Sequence, residues 1–201
     1  MPYPDRFYPV VDSVAWVARL ALLGVGTIQL RAKNLSEADS LQTVKDALEV
    51  IKGTAAKLVV NDYWRAAIAT GAKHLHLGQE DLAEADVPAI RAAGLTLGIS
   101  THDDAELETA LAAQPDYVAL GPIFPTTLKS MRFAPQGIPK ITEWKKRVGA
   151  IPLVAIGGIR LEQAPEIFAA GADSIAVVSD VTQNADPDKR VKQWLRLKEA
   201  A

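Results

Sequence analysis

Short apolar runs alternate along this chain with segments whose apolar residues recur every three or four positions. The runs are rich in β-formers and hold few polar residues, as in parallel strands covered on both faces. They predict strands at Phe7–Val11, Thr27–Arg31, Lys57–Asn61, His74–Leu77, Leu95–Ser100, Tyr117–Leu120, Leu153–Ile156 and Ser174–Val178. Between them the helical spacing predicts helices at Ser13–Leu23, Ser36–Ile51, Ala83–Ala93, Asp104–Ala113, Ile138–Arg147, Leu161–Ala169 and Pro187–Glu199, with a short one from Tyr63 to Thr70 ended by Gly71. Ser36, Asp103 and Asp104 stand where N-caps stand, and Gly24, Gly53, Gly94 and Gly171 follow helices.

Strand and helix thus alternate eight times without a linker or a low-complexity tract. That pattern predicts an α/β fold, a single (β/α)8 TIM barrel domain over residues 1–201. An open doubly wound sheet is the structural rival, but no Gly-x-Gly-x-x-Gly turn follows the first strand.

Composition narrows the function. The chain is 49% apolar and 23% charged with a formal charge of −2, which offers no basic surface for nucleic acid or membrane. It has no cysteine, so disulfides, thiolate metal sites and cysteine nucleophiles are excluded. Met1 to Tyr8 carries charges and two prolines, unlike a signal peptide. No apolar stretch reaches the ~18 residues of a membrane span. A cytoplasmic protein is expected, and the sequence leaves homo-oligomer formation open.

Six strand ends carry the chemistry: Gln29-Leu30-Arg31-Ala32-Lys33, Val60-Asn61-Asp62, Leu77-Gly78-Gln79-Glu80-Asp81, Ile99-Ser100-Thr101, Ile156-Gly157-Gly158 and Val178-Ser179. In a barrel they converge on the C-terminal mouth, where catalytic groups lie. Gln29, Arg31 and Lys33 alternate, so an extended segment points all three the same way, and a guanidinium beside an ammonium suits a diphosphate. The other reading is a strand end fraying into solvated charge. Asp62 and Asp81 either pair with those cations or hold Mg2+, which takes one or two carboxylates plus phosphate and water; Asp81 also reads as the N-cap of a helix beginning near Leu82.

Gly157-Gly158 and Val178-Ser179 occupy the usual barrel position for a phosphate monoester, where backbone N–H groups can approach the anion. The long loop from Pro122 to Gly137, with Pro125-Thr126-Thr127-Leu128-Lys129 at its start, lies at the same mouth. His74 and His76 read as satisfied core histidines, and His102 as a residue that orients neighbours or caps a helix. No serine–histidine–acid triad or zinc spacing is evident. The residues therefore suggest two anion pockets, one cationic and metal-assisted, the other lined by backbone. The matching reaction is departure of diphosphate from one substrate and capture of the electrophile by a second, phosphorylated one.

The strand-end motifs QLRAK, VVND, HLHLGQEDL, GIST, GPIFPTTLK, VAIGG and SIAVVS occur in that order. From near its start to about Gln183 the chain resembles the thiamine phosphate synthase family. The resemblance implies a transferase that joins hydroxymethylpyrimidine diphosphate to thiazole phosphate, with Mg2+ as cofactor. It implies that Gln29, Leu30, Arg31, Ala32, Lys33 and Asn61 hold the pyrimidine substrate, with Arg31 and Lys33 on its diphosphate. Asp62 and Asp81 would bind the metal, Ser100 would contact the pyrimidine and Lys129 would reach the diphosphate. Thr126, Thr127, Leu128, Gly158, Val178 and Ser179 would cradle the thiazole phosphate.

The family loop commonly reads Pro-Thr-x-Thr-Lys, and here Leu128 stands at the second hydroxyl position, with Thr127 or Arg132 nearby to compensate. The related thiazole phosphate tautomerase, expected to carry a histidine where this chain has Pro122, is one alternative. A non-catalytic barrel that binds thiamine precursors is the other.

Overall fold

Strands buried on both faces need neighbours on both edges and cover on both sides, and here the sheet meets that demand by closing on itself. The computed structural model describes residues 3–126 and 133–197. Eight parallel strands pair in chain order, β1 (Phe7–Val11), β2 (Thr27–Leu30), β3 (Lys57–Asn61), β4 (His74–Leu77), β5 (Thr96–Thr101), β6 (Tyr117–Leu120), β7 (Leu153–Ile156) and β8 (Ser174–Val177), and β8 returns to β1 to complete the barrel. The register sets Asn61 beside His76, Leu77 beside Ile99, Thr101 beside Leu120 and Ile156 beside Ala176, so every strand delivers its C-terminal end to one rim.

Ten helices among the described residues follow: α1 (Val14–Leu22), α2 (Glu37–Val50), α3 (Trp64–Thr70), α4 (Gln79–Glu84), α5 (Val87–Ala92), α6 (Asp104–Ala112), α7 (Gly137–Val148), α8 (Ala164–Ala169), α9 (Ser179–Thr182) and α10 (Pro187–Arg196). The strands differ from expectation by one residue at the ends of β2, β5 and β8. The helix expected over 83–93 is corrected to two. Ala85 is extended (φ −80°, ψ 142°), and Asp86 caps the new start by accepting from the Ala89 N–H. The segment expected as a helix from Leu161 opens with a 3-10 turn, Leu161–Gln163. Helix α9 was not expected from sequence. It is held by Asp180, which accepts from Arg190 and from Trp194 Nε1 (2.7 Å) on α10. No helix among the described residues is long and apolar enough to cross a membrane.

Two apolar layers result. The outer one, between strands and helices, holds most of the buried Val, Ile and Leu side chains, with Trp144 and Trp194 fully enclosed. The inner one is small: Tyr8, Val10, Val59, Tyr117, Ala119, Val154 and Ala176 fill the barrel. Tyr8 and Tyr117 are its two rings, and Tyr117 fits because β5 has no side chain at Gly98. A Cβ there would lie 1.9 Å from the Tyr117 ring.

Gly98→Ala should therefore destabilise the fold by about 1–3 kcal/mol, the usual cost of overpacking a filled core. Urea or thermal unfolding of the purified variant checks this; an unchanged midpoint would mean that the ring is not confined.

Candidate active site

The rim is tied together loop by loop. After β2, the Arg31 N–H donates to the Val11 carbonyl at 2.7 Å, which prolongs the extended backbone by one residue. Beyond it, Lys33 pairs with Asp62 at the end of β3. The Leu35 N–H donates to the Tyr63 hydroxyl at 3.0 Å, a second tie between the same two loops. Asp62 turns the chain with φ +64°, a left-handed conformation that Asp tolerates better than most residues. Its own N–H donates to the His76 carbonyl.

Asp81, in the first turn of α4, faces Asp62. The expectation that Asp81 is an N-cap is corrected, since Gly78 occupies that position. Burial, then the charge of Asp62 and a hydrogen bond between the two carboxyls, push Asp81 up from 3.8 to about 6, against the pull of Lys33. A pair of carboxylates held this close to a cation is the donor set of a hard divalent ion that takes its remaining ligands from phosphate and water. Among the described residues no group of three or more His, Asp or Glu side chains is arranged to hold a metal by itself. The pair thus fits Mg2+ shared with a phosphorylated ligand.

Farther round, Gln79 Nε2 donates to the Ser100 carbonyl at 2.7 Å, joining the loop after β4 to β5. His102 Nδ1 lies 2.7 Å from Glu106, and the His102 ring stacks on Phe133. Gln136 Nε2 donates to the His102 carbonyl. His102 therefore orients neighbours, as the sequence suggested. The Ile123 and Phe124 N–H groups donate to the carbonyls of Ile156 and Gly157, which draws the loop after β6 onto the loop after β7. Gly158 has φ +65°, and a Cβ on it would lie 2.5 Å from the Pro125 carbonyl oxygen, so this crossing needs glycine. Arg190 joins the segments after β7 and β8 with forked bonds to Glu162 and to Asp180, the residue after Ser179.

Thr126, Val178 and Ser179 are half-buried on this side. Thr127, Leu128 and Lys129 lie outside the described residues, as does Arg132. Leu30 is buried at the end of β2, and Ala32 is half-buried beside it.

At the floor of the mouth, Asn61 is 4% exposed and its Nδ2 has no hydrogen-bond partner. A buried amide left unsatisfied costs about 1–3 kcal/mol unless a ligand supplies the acceptor. Gln29 is equally buried and donates to the Tyr8 hydroxyl at 2.7 Å. His76 bridges the Tyr117 hydroxyl (2.8 Å) and Ser100 Oγ (2.7 Å). Burial holds its pKa down at about 4, so the ring is neutral. His74 is held at about 4 by the same cause and packs on Tyr3 with centroids 4.6 Å apart. His76 is a satisfied buried histidine, as expected, whereas His74 is half-buried and meets the Thr96 hydroxyl at 2.7 Å. Sequence reasoning missed Tyr8 and Tyr117, because the pairing of Tyr117 with Gly98 is set by strand register, which only the closed barrel shows.

The comparisons with known proteins decide the family. The family described as thiamine monophosphate synthase matches residues 7–181. The chain belongs to the thiamine monophosphate synthase family. It is 56% identical over 191 residues to the thiamine-phosphate synthase of Rhizobium etli, covering 95% of this chain and 94% of that one. It is 48% identical over 197 residues to the thiamine-phosphate synthase of an Enterobacter species, covering 98% and 93%. A solved thiamine phosphate pyrophosphorylase from Pyrococcus furiosus superposes with a TM-score of 0.80 at 29% identity, covering 97% of this chain and 96% of that one. A 3-hexulose-6-phosphate synthase structure, at 15% identity and a TM-score of 0.70 over 94% of this chain and 97% of that one, shares the fold alone. The family match ends before α10, the helix whose Arg190 secures the β7 and β8 loops.

A pH effect follows from Asp81. Its folded-state value of about 6 lies above its ordinary 3.8, so the folded protein holds this proton more tightly than the unfolded chain. The metal-free protein should lose this contribution as pH rises from about 4 through 6. Asp62→Asn should bring Asp81 back down toward its ordinary value. Carbon-13 carboxyl titration by NMR reads this directly, and an unmoved Asp81 in the variant would contradict the pairing.

Proposed function

We propose that this chain joins 4-amino-2-methyl-5-hydroxymethylpyrimidine diphosphate to 4-methyl-5-(2-hydroxyethyl)thiazole phosphate, or its carboxylated tautomer, releasing thiamine monophosphate and diphosphate. The chain acts as one barrel domain on these small molecules. The observation that carries the reading is the Asp62–Asp81 carboxyl pair beside Lys33, above the unsatisfied amide of Asn61. A diphosphate needs the cation, a shared Mg2+ needs the carboxylates, and a heteroaromatic ring needs a partner for the amide. The family relationship supports the same reaction.

In this reading Arg31, Lys33 and Lys129 bind the diphosphate, while Asp62 and Asp81 hold Mg2+. The ion supplies charge neutralisation on the leaving diphosphate. Arg31 and Lys33 add preorganised positive charge where negative charge builds as the carbon–oxygen bond breaks. Gln29, Asn61 and Ser100 orient the pyrimidine, whose ring stabilises the methylene cation left behind. The thiazole nitrogen then attacks that carbon. Backbone at Gly158, Val178 and Ser179, with Thr126, Thr127 and Leu128, holds the acceptor's phosphate so that the nitrogen faces the cation. Enclosure of the barrel floor keeps water from competing for it. No observation favours the tautomerase or sensor reading over this one, because neither makes use of the carboxyl pair beside a cation.

Purified protein should release diphosphate only when Mg2+ and both substrates are present. Asp62→Ala should lower turnover by about 100-fold or more, as expected for lost stabilisation of transition-state charge, while thiazole phosphate binding stays nearly unchanged. Equal loss of both would refute the two-pocket division.

A further inference from the structure

We infer that Gln29, Tyr8, Tyr117 and His76 form a proton-ordering chain that presents Ser100 to the barrel mouth as a hydrogen-bond donor, so that the site selects a ring carrying an acceptor nitrogen there. This rests on the pyrimidine reading above, with Tyr117 and His76 as positioning residues that act through Ser100.

The links run without a gap across the barrel interior. Gln29 Nε2 is 2.7 Å from the Tyr8 hydroxyl, which is 2.8 Å from the Tyr117 hydroxyl. Tyr117 is 2.8 Å from His76 Nδ1, and His76 Nε2 is 2.7 Å from Ser100 Oγ. Tyr8, Gln29, His76 and Tyr117 are all buried, and the Tyr117 and His76 rings stack with centroids 5.6 Å apart.

Gln29 presents Nε2 to Tyr8, and an amide N–H donates, so this placement orders every later link. Tyr8 accepts from Gln29, so its own proton goes to Tyr117. The Tyr117 proton then goes to His76 Nδ1, which must be the bare nitrogen. The imidazole proton therefore sits on Nε2 and is donated to Ser100 Oγ. Ser100 has one proton of its own, and no position in the chain is left to receive it. It turns outward to the mouth.

The reverse order would require the Gln29 amide to present Oε1, not Nε2, to the Tyr8 hydroxyl, and the His76 proton to sit on Nδ1. Burial also raises the pKa values of Tyr8 and Tyr117, so both phenols keep the protons that the ordering requires.

Nitrogen-15 NMR of the full chain, labelled at histidine, reads the ordering without any substrate. The expected result is a protonated Nε2 and an unprotonated Nδ1 on His76; a protonated Nδ1 would overturn the proposal. Steady-state kinetics test the consequence. Tyr117→Phe keeps the ring over Gly98 and removes only the link. It should raise KM for the pyrimidine diphosphate about 10-fold, the usual worth of one hydrogen bond, and leave KM for the thiazole phosphate unchanged. In a Ser100→Ala background the same substitution should add nothing, since coupled residues are not additive. Equal rises in both KM values, or a full additional loss on top of Ser100→Ala, would assign Tyr117 to packing alone and refute the positioning role. If the unaltered protein released no diphosphate, the proposed reaction would fall, while the His76 tautomer would still decide the proton order.

Discussion

The Tyr117 ring at the centre of the barrel is the contact on which the rest of this molecule depends. A closed parallel barrel encloses a narrow interior that must be filled, and here the Tyr117 phenol packs against the bare backbone of Gly98, beside Tyr8 and five smaller side chains. Filling with tyrosine rather than leucine buries a hydroxyl, since Tyr117 is fully enclosed. That hydroxyl must be satisfied, and Tyr8 and His76 satisfy it. The packing solution thereby creates a polar path from the barrel interior to Ser100 at the mouth.

The mouth itself is organised by charge. Ion pairs and hydrogen bonds join successive rim loops from the end of β1 round to that of β8, among them Lys33–Asp62, Gln79–Ser100 and Arg190–Asp180. Asn61 Nδ2 is left without a hydrogen-bond partner, and the Asp62–Asp81 pair has the single cation Lys33 beside it. Two carboxyls near one another repel when both are charged, and this holds the Asp81 proton on to about pH 6. Stability given up at the site is offset by the outer layer, where the strands meet Trp144, Trp194 and the aliphatic faces of the helices.

Arg190 ties the mouth to the outer ring of helices. It lies on a helix outside the family match, yet its forked bonds reach Glu162 after β7 and Asp180 after β8. The loops that carry Gly158 and Ser179 are therefore held from behind by a residue that touches neither. A planar guanidinium with several donors can serve two carboxylates at once, which a lysine cannot do with comparable geometry.

Periodicity and strand-end chemistry were enough to determine eight strands, the order of strand and helix, and the rim that carries Arg31, Lys33, Asn61, Asp62, Asp81 and Ser100. These are local properties: a strand buried on both faces must be apolar, and its end must be polar where it meets solvent. Only the tertiary structure decided the break at Ala85–Asp86, the existence of α9, the capping role of Gly78 in place of Asp81, and the chain from Gln29 to Ser100. Each depends on partners far apart in sequence, such as Asp180 with Trp194 or Tyr8 with Tyr117, 109 residues away. A single side chain's identity shows that it can donate or accept. Which group it meets, and so which way its proton points, is set only when the barrel closes.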